Sequence, residues 1–237
     1  MPSKLYYKFQ YLVFSCIEKL NAVFSCVGDR TFFDVSKFSW MPIIESHIED
    51  IQQELQAVID LETLPNIQDI SPDQRVLTTD HKWKVFSLYL YGHKAEDNCK
   101  KCPKTVAVLQ AIPGFKSAMF SVLAAQKHVP PHRGFYNGLL RYHLGIQVPL
   151  NDKQCGIKVG DEVQYWANGK GFVFDDTYRH EAWNYTDFTR IVLVVDFERP
   201  LYWPLSKLNQ WAIYYIGKTP LVMVAMNNLR NASTQHT

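Results

Sequence analysis

From Trp83 to Phe197 the chain breaks into short alternating or wholly apolar runs, each bounded by Gly, Pro, Asn or Asp. Side chains on a strand point to opposite faces with period two, so runs of this kind predict an antiparallel β domain. The spacing predicts strands over residues 84–91, 117–123, 138–149, 162–166, 171–174, 181–184 and 190–197, interrupted by one helix over 102–112. The flanks have the other period. Leu5, Phe9, Leu12, Cys16, Leu20, Val23 and Val27 recur at spacings of three and four, which predicts an amphipathic helix stopped by Gly28-Asp29. A second helix is expected from near Pro42 through Ile44, Ile48, Ile51, Leu55 and Val58 to before Pro65. After Pro204, Leu205, Leu208, Trp211, Ala212, Tyr215 and Ile216 trace one helical face, and residues 221–226 are an apolar patch. The expected division is therefore residues 1–79 as N-terminal helices, 80–200 as the β core and 201–237 as a C-terminal amphipathic segment.

A chain of 237 residues with 47% hydrophobic content can bury one sizeable core without a second domain. With 25 Lys+Arg against 23 Asp+Glu there is no basic field of the kind that binds DNA or RNA. Five scattered cysteines are too few for a disulfide scaffold and fit a reducing compartment. Cys99 and Cys102 have the spacing of half a zinc knuckle or a redox pair, but no second pair completes a tetrahedral site, and they are expected to be loop thiols before Pro103. The most apolar candidate for a membrane span, residues 5–27, is interrupted by Lys8, Gln10, Glu18 and Lys19, which also argues against a cleavable signal peptide. The expectation is a cytoplasmic protein with no protein partner, at most peripheral on the inner face of the membrane. Both ends being amphipathic, they either buttress an open sheet face or lie on a membrane surface, where Trp, Tyr and basic residues sit at the headgroups.

The chemistry-bearing residues fall in two strings, Pro130-Pro131-His132 through Gly145 and Phe174 through Asn184, followed by Arg190. In the strand after Leu140, alternation puts Arg141, His143 and Gln147 on one face and Tyr142, Leu144, Ile146 and Val148 on the other. Arg190, Val192 and Val194 likewise oppose Ile191, Leu193 and Val195. An arginine pointing into a barrel is costly unless it meets an anion, and a carboxylate can be gripped bidentately by the planar guanidinium. Two imidazoles from different strands suit a divalent first-row metal, and the carboxylate that often stands two residues after the first histidine is here replaced by Gly134. Asp175 and Asp176 are read as orienting His180 or, the favoured role, capping a turn before it, and Asn137 as either packing or hydrogen-bonding behind the site.

Together Ser121, His132, Gly134, Asn137, Arg141, His143, His180 and Arg190 resemble the motif residues of the aspartyl/asparaginyl β-hydroxylase family, over residues 80–200. That resemblance implies a mainly β chain with flanking helices around a double-stranded β-helix, the jelly-roll or cupin-like oxygenase fold. It implies Fe(II) held by His132 and His180, O2 as co-reactant, and 2-oxoglutarate as small-molecule cosubstrate with its distal carboxylate on Ser121 and Arg190. Arg141 and His143 would sit beside its other carboxylate and the metal, as catalytic residues.

Segment order is similar to the compact bacterial, lipid-modifying branch of the family, an impression carried by Phe38-Ser39-Trp40, Tyr91-Gly92-His93, Asn98 to Pro103 and Phe174 to Tyr178. The implied reaction is hydroxylation of an unactivated carbon in a membrane-lipid acyl chain or lipid-linked group, releasing succinate and carbon dioxide. Three alternatives stand beside it: a peptide or protein hydroxylase, a halogenase using the position that Gly134 vacates, and a non-catalytic β-barrel binding a metal or dicarboxylate.

Overall fold

The computed structural model describes residues 15–150 and 153–234. Residues 15–23 are helical (α1), and the earlier part of the helix expected over 5–27 lies outside the described residues. The other helices are α2 (Met41–Ser46), α3 (Ile48–Val58), α4 (Ile67–Ile70), α5 (Glu96–Lys101), α6 (Pro103–Leu109), α7 (Leu205–Ile216) and α8 (Pro220–Thr234). The strands are β1 (Phe32–Phe33), β2 (Trp83–Leu90), β3 (His93–Lys94), β4 (Phe115–Leu123), β5 (Lys127–His132), β6 (Leu139–Gln147), β7 (Cys155–Val159), β8 (Glu162–Tyr165), β9 (Gly171–Phe174), β10 (His180–Asn184) and β11 (Arg190–Glu198). They form a seven-stranded sheet in the order β1-β9-β6-β11-β4-β2-β3 and a four-stranded sheet in the order β5-β10-β7-β8.

The two faces of the larger sheet are divided as the alternation predicts. Leu140, Tyr142, Leu144 and Ile146 of β6 join Ile191, Leu193, Val195 and Phe197 of β11 and Phe120 of β4 in one core, and Ile44, Ile51, Leu55 and Leu109 from the helices cover it. Each such side chain contributes about 1.5–3 kcal/mol by leaving water. On the opposite face Val192 and Val194 meet Cys155, Ile157, Val159, Trp166 and Phe174, so the smaller sheet closes over this side and creates an interior. Val85 of β2, the register partner of Ser121, packs with Ile213, Ile216, Val222, Met226 and Leu229, so α7 and α8 continue the cover beyond the smaller sheet. The inner faces of the C-terminal helices therefore buttress the sheet. Among the described residues no helix is long and apolar enough to cross a membrane.

Several local expectations change. The helix expected from Pro42 breaks at His47, because Ser46 Oγ and His47 Nδ1 both donate to Ile43 O and compete for the carbonyl that a continuous helix would use. The helix expected over 102–112 becomes two, with Pro103 at the first position of α6, where its missing N–H costs nothing. Cys99 and Cys102 are consequently not loop thiols. Both are buried in the core, in α5 and at the N-cap of α6, and burial raises both thiols, Cys102 to about 12. Val148 faces the interior cluster instead of sharing a face with Ile146, since the β6–β11 register slips between Ile191 and Val192. Gln52 Nε2 donates to Ile146 O at 2.7 Å and satisfies the carbonyl at that slip.

Candidate active site

His132 ends β5 and His180 begins β10, and the two are register partners across the smaller sheet with ring centroids 4.1 Å apart. β5 carries Pro130 and Pro131, which lack a backbone donor and are tolerated because β5 is an edge strand. His132 Nδ1 lies 2.8 Å from Pro130 O, and His180 Nδ1 lies 3.0 Å from Tyr178 O. A carbonyl only accepts, so Nδ1 carries the proton on both rings and each Nε2 keeps a free lone pair. Burial pushes both histidines down to about 4, so both are neutral at pH 7.

Gly134 stands two residues after His132, and the structure shows what fills the space a side chain would take there. A Cβ on Gly134 would lie 2.3 Å from Asp176 Oδ1, so that carboxylate fills the space itself. The backbone fixes the approach, with Gly134 N donating to Asp176 O at 2.7 Å. Among the described residues no third His, Cys, Asp or Glu completes a metal-holding group with the pair.

A chain of ring contacts joins the imidazole pair to the other residues expected at the site. Phe174 meets His180 edge-on at 6.0 Å and His143 at 4.9 Å. Trp166 Nε1 donates to His143 Nδ1 at 3.2 Å, which leaves the His143 proton on Nε2, and burial holds this ring well below the usual histidine range. The Trp166 ring also lies under Arg190, with the guanidinium carbon 4.5 Å from the ring centre. Arg190 is 3% exposed, its Nη1 donates to Ser121 O at 3.2 Å, and its buried Nε has no hydrogen-bond partner among the described residues. Among the described residues it makes no ion pair, and burial lowers it to about 10 with only Cys155 opposing the shift. Ser121 Oγ accepts from Trp83 Nε1.

Arg141 already has two carboxylate partners within the fold. Its Nε and Nη2 grip Asp196 at 2.7 and 3.1 Å, and its Nη1 lies 3.0 Å from Asp176. Asp176 thus joins Gly134 to this guanidinium, while burial raises its carboxyl and Arg141 opposes the rise. Asp175 caps its turn, as expected, through Thr177 N and Oγ1, and it also pairs with the buried Arg199. Arg199 Nε donates to Asn137 O, so one guanidinium ties the turn before His180 to the loop after His132. Asn137 itself hydrogen-bonds Asn21 and Glu18 O of α1, which gives it a bonding role. His81, His93 and His128 pair with Asn66, Gly217 O and Glu181 and do not join the imidazole pair. Sequence reading missed Trp166 and Arg199. A tryptophan at a strand end and an arginine after one carry no signal of a buried partner.

Two antiparallel sheets closed face to face, with polar residues turned inward near one end, make a double-stranded β-helix whose interior is built to bind. The chain belongs to the aspartyl/asparaginyl beta-hydroxylase family, whose model matches residues 45–200, a stretch that contains every residue of this site. It is 43% identical over 213 residues, 89% of this chain and 75% of the relative, to the ornithine lipid ester-linked acyl 2-hydroxylase of Rhizobium tropici. It is also 32% identical over 147 residues to the aspartyl/asparaginyl beta-hydroxylase of Homo sapiens, which is 60% of this chain but only 19% of that protein. The protein is therefore a member of a hydroxylase family.

Proposed function

We propose that this protein is an iron(II)- and 2-oxoglutarate-dependent hydroxylase acting on an acyl chain of a membrane lipid. The observation that carries the cosubstrate is Arg190: a buried guanidinium with an orphaned Nε and no acidic partner among the described residues is costly alone and is matched by a carboxylate. The metal reading is supported by the neutral imidazole pair, whose Nε2 atoms are freed by backbone acceptors on Nδ1. The lipid reading is supported by the match that runs along 89% of the chain to a lipid acyl hydroxylase. The carboxylate of Asp176, standing in the space beside Gly134, speaks against the halogenase alternative.

In this reading His132 and His180 would hold the iron, and Arg190 with the Ser121 hydroxyl would take the distal carboxylate of 2-oxoglutarate. His143, with its proton on Nε2, would be available to donate to the diacid, and Trp166 keeps both His143 and Arg190 from turning. Arg141, already neutralised, fixes Asp176 beside the iron-bearing loop. Val192, Val194, Ile157 and Phe174 wall the interior against water. When bound, the metal and cosubstrate supply dioxygen activation and insertion of one oxygen atom into a C–H bond, with succinate and carbon dioxide as co-products.

Mass spectrometry of lipids from cells making the protein, or its His132→Ala variant, tests this. A lipid species heavier by one oxygen atom, absent with the variant, is expected. Identical lipids in both strains, together with oxygen-dependent succinate formation on an acidic peptide, would move the substrate to the peptide class.

A further inference from the structure

The inner faces of α7 and α8 are buried, but their outer faces are not polar. On α7 the exposed positions Leu208, Trp211, Tyr214 and Tyr215 follow helical spacing, and Trp211 is 65% exposed. Trp203, just before this helix, is 79% exposed, and Val23 at the end of α1 is 77% exposed. These segments adjoin one another, since Tyr202 N donates to Phe24 O and Ser25 bridges Leu201. An amphipathic helix normally turns such residues inward, so an aromatic stripe on the outside has been left for a partner.

Three observations identify that partner. The stripe is built of Trp and Tyr, whose apolar rings with one polar tip sit at the boundary between lipid tails and headgroups. The charge is one-sided: from Pro200 to Thr237 the sequence has three Lys or Arg residues and no Asp or Glu, and Lys207 and Lys218 lie exposed on α7 and just after it. Finally, the helices that carry this face are tied on their buried sides to the loop that follows His132. Asn209 of α7 accepts from Tyr136 Oη and donates to Gly138 O, and Asn21 of α1 donates to Tyr136 Oη and Asn137 Oδ1. Gly138 permits this approach, because a Cβ there would lie 2.0 Å from Asn209 Oδ1. Phe135, in the same loop, is 63% exposed.

We propose that α1, the Tyr202–Trp203 corner and the outer face of α7 form one docking surface for an anionic phospholipid bilayer, which brings the loop after His132 to the membrane. The choice of a bilayer over a protein partner rests in part on the lipid-substrate reading above. Docking of this kind uses a buried aromatic stripe plus basic residues, binds reversibly and weakens with salt.

The test is co-sedimentation of the full chain with vesicles of phosphatidylglycerol and phosphatidylethanolamine. Trp203→Ser/Trp211→Ser/Tyr215→Ser is compared with the wild type, and Tyr165→Ser, an exposed aromatic on β8, is the control. The wild type and control should sediment at low salt, and the triple variant should bind at least about tenfold more weakly while its 2-oxoglutarate affinity is unchanged. Equal binding by the triple variant, no sedimentation of the wild type, or a wild-type dimer that the triple variant dissolves would each overturn the proposal. Hydroxylation of the lipid in detergent micelles separates the two readings. Product from micelles without vesicle binding sinks the docking face and keeps the lipid substrate, whereas vesicle binding without any lipid product keeps the face and sinks the substrate.

Discussion

Arg141 and Arg190 point into the same interior from neighbouring strands, and their surroundings are opposite. Arg141, on β6, is gripped by Asp196 and touched by Asp176, so nearby carboxylates raise its affinity for the proton. Arg190, on β11, is buried more deeply, and among the described residues its company is a carbonyl, a tryptophan face and a thiol without a carboxylate, while burial lowers it. The lesson is that a buried charge declares its function by what it lacks. A guanidinium neutralised within the fold holds other residues in place; one left without an anion is ready to bind one. In the proposed reading the expectation that both arginines clasp one diacid becomes a division of labour, Arg141 holding Asp176 and Arg190 meeting the anion.

The strongest way to break this comparison is to remove the neutralised guanidiniums. Arg199→Met strands Asp175 in the core, and Arg141→Met strands Asp176 and Asp196, so each should lower unfolding free energy in urea by about 3–5 kcal/mol. Acid should act nearly as strongly on the metal-free protein. His132 and His180 are depressed to about 4, so the unfolded chain binds their protons first. Stability contributed above pH 6.5 is then lost as pH falls toward 4, by roughly 3 kcal/mol for each ring. Asp175 and Asp176, whose carboxyls are raised, run the other way and offset part of the loss. Urea melts with EDTA between pH 7 and 4 would show the decline, and a flat profile would mean that the imidazoles are solvated.

Arg190→Met sharpens the contrast, because stability and binding should separate. Removing an unpaired buried cation should leave the urea midpoint unchanged or higher, while 2-oxoglutarate affinity by calorimetry falls by about 100-fold or more. A loss of stability like that of Arg141→Met would show that Arg190 is structural.

How much of this was legible in the sequence depends on whether the signal was local. β6 and β11 could be read from their alternation, since Leu140, Tyr142 and Leu144 interleave with Arg141 and His143, and the structure splits them as predicted. β5, which carries His132, could not, because Pro130-Pro131 argues against a strand and only its edge position, a property of the assembled sheet, makes the pair acceptable. The partners of Arg141 were equally invisible. Asp196 lies 55 residues away, and only the register of β6 on β11 sets them side by side. A bulge hid the turn of Val148 for the same reason, since one inserted residue reverses every face that follows.

The smallest expected effect concerns the residue that touches both sides of the binding end. Trp166 donates to His143 and lies beneath Arg190, so Trp166→Phe removes one hydrogen bond while keeping an aromatic face under the guanidinium. The lost bond is worth about 1 kcal/mol, so 2-oxoglutarate affinity should fall by less than about tenfold. That shift is small against the Arg190→Met loss because the phenyl ring still fills the space and His143 stays packed on Phe174. If calorimetry instead gave a loss as large as that of Arg190→Met, the orientation of His143, and not the unpaired guanidinium, would be what holds the diacid.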